Sequence, residues 1–153
     1  MRAVVLTRPG NPHGIATFDD LLKPAVRLGQ ANPDAAAIGS VTRDHLRKSA
    51  KWSALAARTT VFHATVTEAA NAVKLGGNDA AVVWDAVAAN YPDLVVVRLP
   101  ELDGATGRVE VALLKSARDP AAAKRFMSYV AASDKGLSQF RKAGFADTEP
   151  GAR

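Results

Sequence analysis

The 153-residue chain contains no cysteine, which excludes a disulfide framework and a thiolate metal centre and leaves the redox compartment open. Its three histidines, His13, His45 and His63, show no metal-ligand spacing and are read as loop or surface side chains. No metal or other cofactor is expected. Aromatic residues make up 6% of the chain, and no aromatic platform or reader motif accompanies its basic residues, so nucleic acid is not an expected partner. No apolar run approaches the length of a membrane span. The first residues, MRAVVLTRPGNP, also lack the apolar stretch of a signal peptide, so the chain as written is expected in the cytoplasm. Phosphate-cradling and catalytic loops are missing too. Gly76-Gly77 lacks the remainder of a nucleotide-binding loop, and Ser40 has neither a strand before it nor a glycine two residues after it, so it is no nucleophile elbow. The acid pairs Asp19-Asp20 and Glu101/Asp103 fall where helix starts and turns place acids anyway. Nothing here gives a positive reason to expect an enzyme.

What is present is the composition of a soluble globular protein, 48% hydrophobic and 23% charged, long enough for one domain or a domain with an appendage. The net charge of +5 is spread over separated groups of lysine and arginine, as solvated helix faces carry it.

The most informative stretch is residues 59–85, TTVFHATVTEAANAVKLGGNDAAVVWD. Thr59, Thr60, Val61 and Phe62 are β-branched or aromatic, as a buried strand prefers. Thr65 to Glu68 has capping-box spacing, Ala69, Ala70, Val73 and Leu75 form an apolar stripe, and Gly76-Gly77 ends the helix. Residues 80–84 then run apolar without alternation, which suits a parallel strand covered on both faces. This is one βαβ unit. It predicts an α/β protein, a sheet with flanking helices in three layers.

Elsewhere, residues 3–8 and 26–31 read as strands, with a short helix capped by Thr17 between them. Asn32-Pro33-Asp34 gives a cap, a first-turn proline and an acid, predicting a helix from there to about residue 48. A short helix over 51–57, a helical piece over 85–90, and strands over 94–99 and 108–114 follow. Asp119-Pro120 opens a helix to about residue 132, and a last helix spans about 135–143 with Gly144 as its stop. Residues 146–153 read as a frayed tail.

Two predicted helix starts, at Asn32 and at Thr65 to Thr67, lie where parallel strands end. One reading makes them ordinary caps, each worth about 1 kcal/mol. The other makes them an anion site built from backbone donors.

Residues 10–15 (GNPHGI), 18–39 (FDDLLKPAVRLGQANPDAAAIG), 46–62 (LRKSAKWSALAARTTVF), 78–88 (NDAAVVWDAVA) and 119–145 (DPAAAKRFMSYVAASDKGLSQFRKAGF) together resemble the periplasmic solute-binding proteins of ABC importers, most of all the molybdate-binding branch. The resemblance implies the second lobe of a type II periplasmic-binding-protein fold plus C-terminal helices of a first lobe. It divides the chain into a hinge strand and loop (1–16), a ligand-binding lobe (17–106), a return strand with C-terminal helices (107–145) and the tail (146–153). It further implies a small tetrahedral oxyanion such as molybdate as ligand, with contacts near Ala37, Ile38, Val66 and Trp84, and Asn32, Thr65 and Thr67 beside them. The branch commonly has tyrosine where this chain has Trp84, which exchanges a hydroxyl for an indole N–H. Implied partners are the importer's membrane subunits, and the implied location is the periplasm, against the cytoplasmic expectation from the first residues. Two other classes stay open: a truncated, ligand-free α/β domain that pairs as a homodimer, and a cytoplasmic effector-binding module. The stripe Phe126, Met127, Val130, Leu137, Phe140 and Phe145 is wider than solvated helices need.

Overall fold

A computed structural model of the chain describes residues 1–145, which divide into two compact units that meet at Gly107 and Arg108 in the sequence. The first unit is built on a five-stranded sheet. Its elements in chain order are β1 (Ala3–Thr7), α1 (Phe18–Leu21), β2 (Leu28–Ala31), α2 (Ala37–Arg47), α3 (Trp52–Arg58), β3 (Thr59–His63), α4 (Val66–Lys74), β4 (Ala80–Trp84), α5 (Asp85–Ala88) and β5 (Val95–Val97). The strand order is β3-β2-β4-β1-β5. Strand β2 runs parallel to both β3 and β4, whereas β1 pairs antiparallel with β4 and β5. The predicted βαβ unit is therefore present, but β2 lies between its two strands.

The unbroken apolar run of β4 has the predicted cause. All five of its residues are buried, and they alternate between two cores. Ala80, Val82 and Trp84 join Val5, Leu28, Ile38, Leu46 and Leu55 on one face, while Ala81 and Val83 join Val4, Leu6, Ala69, Ala70 and Val73 on the other. Each fully buried Leu, Ile or Val contributes about 1.5 to 3 kcal/mol. Helices on both faces of the sheet make the three layers.

Several expectations are corrected. Strand β3 is not buried: it is an edge strand paired only with β2, and Val61 and Phe62 stay 41% and 42% exposed. Residue types that suit a strand do not distinguish an edge from a centre. Leu75 lies outside the stripe of α4 and is 84% exposed, because the helix ends at Lys74 and the chain turns through Gly76 at φ +77°. The capping box of α4 is half formed. Thr65 accepts the Glu68 amide at 3.1 Å, but the Glu68 carboxylate reaches back to the Ala64 amide at 3.0 Å. At α1 the full box is present, with Thr17 and Asp20 as its members.

In the second unit, α6 (Pro120–Ala131) starts as predicted, with Asp119 accepting the Ala122 amide at 2.8 Å and proline at the first position. Helix α7 (Gly136–Lys142) follows, and Gly144 turns the chain at φ +83°. Phe140 and Phe145 meet edge to face with ring centres 5.3 Å apart. Residues 108–114 are not the predicted strand: among the described residues they enter no ladder. A β-prone sequence cannot form a strand without a partner backbone. Val109, Val111 and Leu114 are exposed, α6 buries none of its residues, and Phe126 is 63% exposed. The predicted tail over 146–153 lies outside the described residues.

At the amino ends of β2 and β4, Asp79 ties the first unit together. Its carboxylate, 3% exposed, takes the Arg27 guanidinium at 2.7 and 2.9 Å, the Arg27 amide at 3.0 Å and Arg8 at 3.2 Å. The Arg27 hydrogen bonds hold this carboxyl far below its ordinary pKa of 3.8, against the opposing effect of burial. A depressed carboxylate pKa stabilises the fold above the unfolded value and loses that contribution as pH falls towards the folded one. Asp79→Asn is therefore expected to cost about 2 to 3 kcal/mol at pH 7. In urea titrations the gap to the parent should narrow below about pH 4; a gap independent of pH would rule this account out.

Candidate functional site

Because β2, β3 and β4 run parallel, their carboxyl ends form one edge, and the chain leaves each of them into a helix start. The register sets Ala31 against His63, and the Asn32 amide then donates to the His63 carbonyl at 2.7 Å. This bond holds the two exits side by side.

The exit from β2 differs from the predicted one. Asn32 does not cap α2. Its side chain accepts the Asp34 amide at 2.9 Å and its carbonyl accepts the amides of Ala35 and Ala36, closing a turn. Helix α2 begins five residues later, behind Ala36, whose side chain can accept nothing. Among the described residues the amides of Ala37, Ile38 and Gly39 consequently have no acceptor. At α4, Thr65 satisfies Glu68, and the amides of Val66 and Thr67 are the open ones. Both helix starts carry partial positive charge towards the edge.

The predicted site residues divide by role. Ile38 and Trp84 are buried in one cluster, against which Val66 also packs, so these three are brought together as the floor of the edge. Ala37, Thr65 and Thr67 are exposed. Asn32 is half-buried and spends its side-chain oxygen on its own turn. Trp84 is 6% exposed, and its indole N–H donates to no described residue without being sealed from solvent.

Three further residues shape the edge and were not predicted. Gly39 allows α2 to start close against β2: a Cβ there would lie 2.3 Å from the Ala31 carbonyl oxygen. Gly107 covers the Trp84 ring, where a Cβ would meet Cη2 at 2.9 Å. Asp85 follows Trp84, and its carboxylate accepts the amides of Arg2 at 2.9 Å and Ala86 at 2.8 Å. Only the motif around Trp84 could have pointed to Asp85. Gly39 looked like an unremarkable residue within a helix, since the contact that requires it comes from another element.

A protein-family model described as bacterial extracellular solute-binding protein matches residues 1–146. The chain is 29% identical over 144 residues to the molybdate-binding protein ModA of Mycobacterium tuberculosis (strain ATCC 25618 / H37Rv), a match covering 94% of this chain and 53% of that protein. It thus spans about half the length of the curated relatives it matches. Among solved structures, the sulfate-binding protein SubI from Mycobacterium tuberculosis H37Rv superposes with a TM-score of 0.77 at 17% identity, over 97% of this chain and 57% of that one. The Azotobacter vinelandii periplasmic molybdate-binding protein gives 0.60 at 20% identity, over 97% and 65%. These likenesses establish the fold, a lobe of the type II periplasmic-binding-protein kind. The expected cytoplasmic location is corrected by the family match, since that family is extracellular. The absence of an apolar stretch after Met1 does not outweigh it.

The tight seat of Gly39 is testable. Gly39→Ala must push α2 away from a backbone carbonyl, and overpacking of this kind costs about 1 to 3 kcal/mol. Thermal or urea unfolding should show that loss, and a midpoint equal to the parent's would mean that α2 is not held where this contact requires.

Proposed function

The chain belongs to the bacterial extracellular solute-binding protein family, a class that binds and delivers rather than catalyses, and from that membership we propose that its first unit is a ligand-binding lobe for a tetrahedral oxyanion. Sulfate, molybdate and tungstate are the class. The observation that carries this reading is the start of α2: an alanine N-cap leaves three amides without acceptors at a sheet edge where a serine or aspartate would have satisfied one. The open amides of Val66 and Thr67 and the free indole N–H of Trp84 add donors from two further exits. Such donors hold a dehydrated anion without a buried lysine. The similar proteins that bind molybdate and sulfate support the same class.

In this reading residues 1–16 and 107–145 serve as the hinge connections and the helices of a complementary lobe, and the membrane subunits of an ABC importer are the partners. The chain's own edge supplies part of the anion's donors. Its affinity is therefore expected to lie several kcal/mol below that of a family member with both lobes.

Trp84 gives the test. Its fluorescence should respond to sulfate or molybdate, the response should vanish in Trp84→Phe, and Trp52→Phe should keep it. A response surviving in Trp84→Phe would move the site away from this edge.

The second unit favours one further reading, pairing of two copies through its apolar residues. Val109, Val111, Leu114, Phe126 and Tyr129 are all exposed there, a patch that soluble monomers seldom leave open. Residues 108–145 also carry eight basic side chains against three acidic ones, so like-charge repulsion opposes the pairing and salt relieves it. Sedimentation should therefore show association that strengthens with ionic strength and weakens in Phe126→Ser. A chain monomeric at high salt and high concentration would exclude it.

A further inference from the structure

Strand pairing lays a floor of small residues beneath Trp84. Ala3 lies in register with Trp84, so the two share a face of the sheet. On the other side of β1 the chain returns antiparallel to its own first residues. There the Ala3 amide donates to the Ala105 carbonyl at 2.9 Å, the Gly107 amide donates to the Met1 carbonyl at 3.0 Å, and Thr106 bridges Arg2. Alternation turns Arg2 and Thr106 to the opposite face and leaves Ala3, Ala105 and Gly107 on the face of Trp84. Ala3, Ala105 and Trp84 join one buried cluster, with Met1 packed against it.

The indole reaches across this floor to its last residue. A Cβ on Gly107 would meet the ring atoms Cη2, Cζ2 and Cζ3 at 2.9, 3.1 and 3.5 Å. Gly107 is not among the residues of positive φ, so the glycine is required for space and not for its backbone angle. Trp84 is buried, yet its N–H donates to no described residue and is not sealed from solvent. A buried indole ordinarily has a partner for that proton. One end of the ring is thus fixed against backbone while the other is left as a donor. Both ends belong to a single rigid fused ring, so whatever moves the far end moves the donor.

We infer that Gly107 is a positioning residue of the anion site: by making room for the distal ring, it sets where the Trp84 N–H stands and how the edge discriminates between oxyanions of different size. The inference rests on the oxyanion reading above. A Cβ at position 107 must displace the ring by about half an ångström or more to restore ordinary contact. Binding constellations are sensitive to shifts of about that size, and a donor on a rigid ring cannot follow both a smaller sulfate and a larger molybdate.

The experiment uses the full chain in a Trp52→Phe background, where Trp84 is the one remaining tryptophan. Without ligand, Gly107→Ala is expected to shift its emission. Titrated with sulfate and with molybdate, by fluorescence and calorimetry, the same variant should bind the two unequally weaker, by about tenfold for the more affected anion. Gly77→Ala, whose Cβ would meet nothing nearer than 3.4 Å, should stay within about twofold for both. A double-mutant cycle without ligand isolates the contact. Gly107→Ala should lower the urea midpoint, and much less so when combined with Trp84→Phe, whose ring lacks the colliding atoms. Should Gly107→Ala not fold alone, the added Trp84→Phe is expected to restore folding. Equal losses in both backgrounds, or no restoration, would overturn the inference. If the parent binds and Gly107→Ala keeps both affinities, Gly107 does not position the donor and the oxyanion reading stands. If the parent gives no heat and no fluorescence change with either anion, that reading fails and this inference fails with it.

Discussion

Strand β2 is hydrogen-bonded in parallel to β3 on one side and to β4 on the other, and those two ladders decide where the helices begin. A parallel pair aligns the carboxyl ends of its strands, so three chain exits are delivered to one edge before any side chain there is specified. The Asn32 amide extends the β2–β3 ladder by one bond to the His63 carbonyl, which carries the alignment into the loops. At the other end, Asp79 gathers Arg8 and Arg27 and holds the return from α4 into β4. Register at one end and charge at the other thus constrain the same strands.

That constraint explains how an alanine can stand at the start of α2. A helix end without a capping side chain forgoes about 1 kcal/mol, and an isolated helix could not easily spare it. Here the helix is held instead by Ile38 and Leu46 in the core and by the approach of Gly39 to the Ala31 carbonyl. Packing has replaced capping. The amides that capping would have consumed remain as donors on a rigid edge, and under the proposed oxyanion reading such preorganised dipoles need no rearrangement to meet a ligand.

Much of this was legible in the residues because the signals were local. The uninterrupted apolar run of β4, the Thr65 cap and the turn at Gly76 each depend on neighbours within a few positions, and all three stand. What failed depended on distant partners. Nothing in Thr59 to Phe62 says that only one side of the strand is paired, and nothing in RVEVALL says that no strand lies beside it. Asn32-Pro33-Asp34 is a more instructive miss, since asparagine serves a helix cap and an Asx turn by the same hydrogen bond from its side-chain oxygen. Choosing between them needed the position of α2 against β2, which only Gly39 reports. Of the predicted site residues, Ile38 and Trp84 lie in one core cluster and Val66 packs against it, whereas the place of Asp85 beside Trp84 became visible only through the antiparallel pairing of β1 with β4.

The two units differ in what their surfaces still require. The first buries apolar residues on both faces of the sheet while Val61, Phe62, Leu75 and Val96 stay exposed, and at the edge where β2, β3 and β4 end it leaves backbone amides and an indole N–H open. The second leaves apolar side chains open. Val111, Leu113, Leu114, Ala123, Phe126 and Met127 line a groove of about 330 Å³, and α6 has no buried residue. Open polar donors can wait in water at little cost, because water satisfies them until a ligand does. Exposed apolar residues cannot, because every partner that covers them releases free energy in proportion to area. In the proposed reading the open amides of the first unit suit reversible occupation by a small charged ligand, and the apolar groove of the second suits cover by polypeptide.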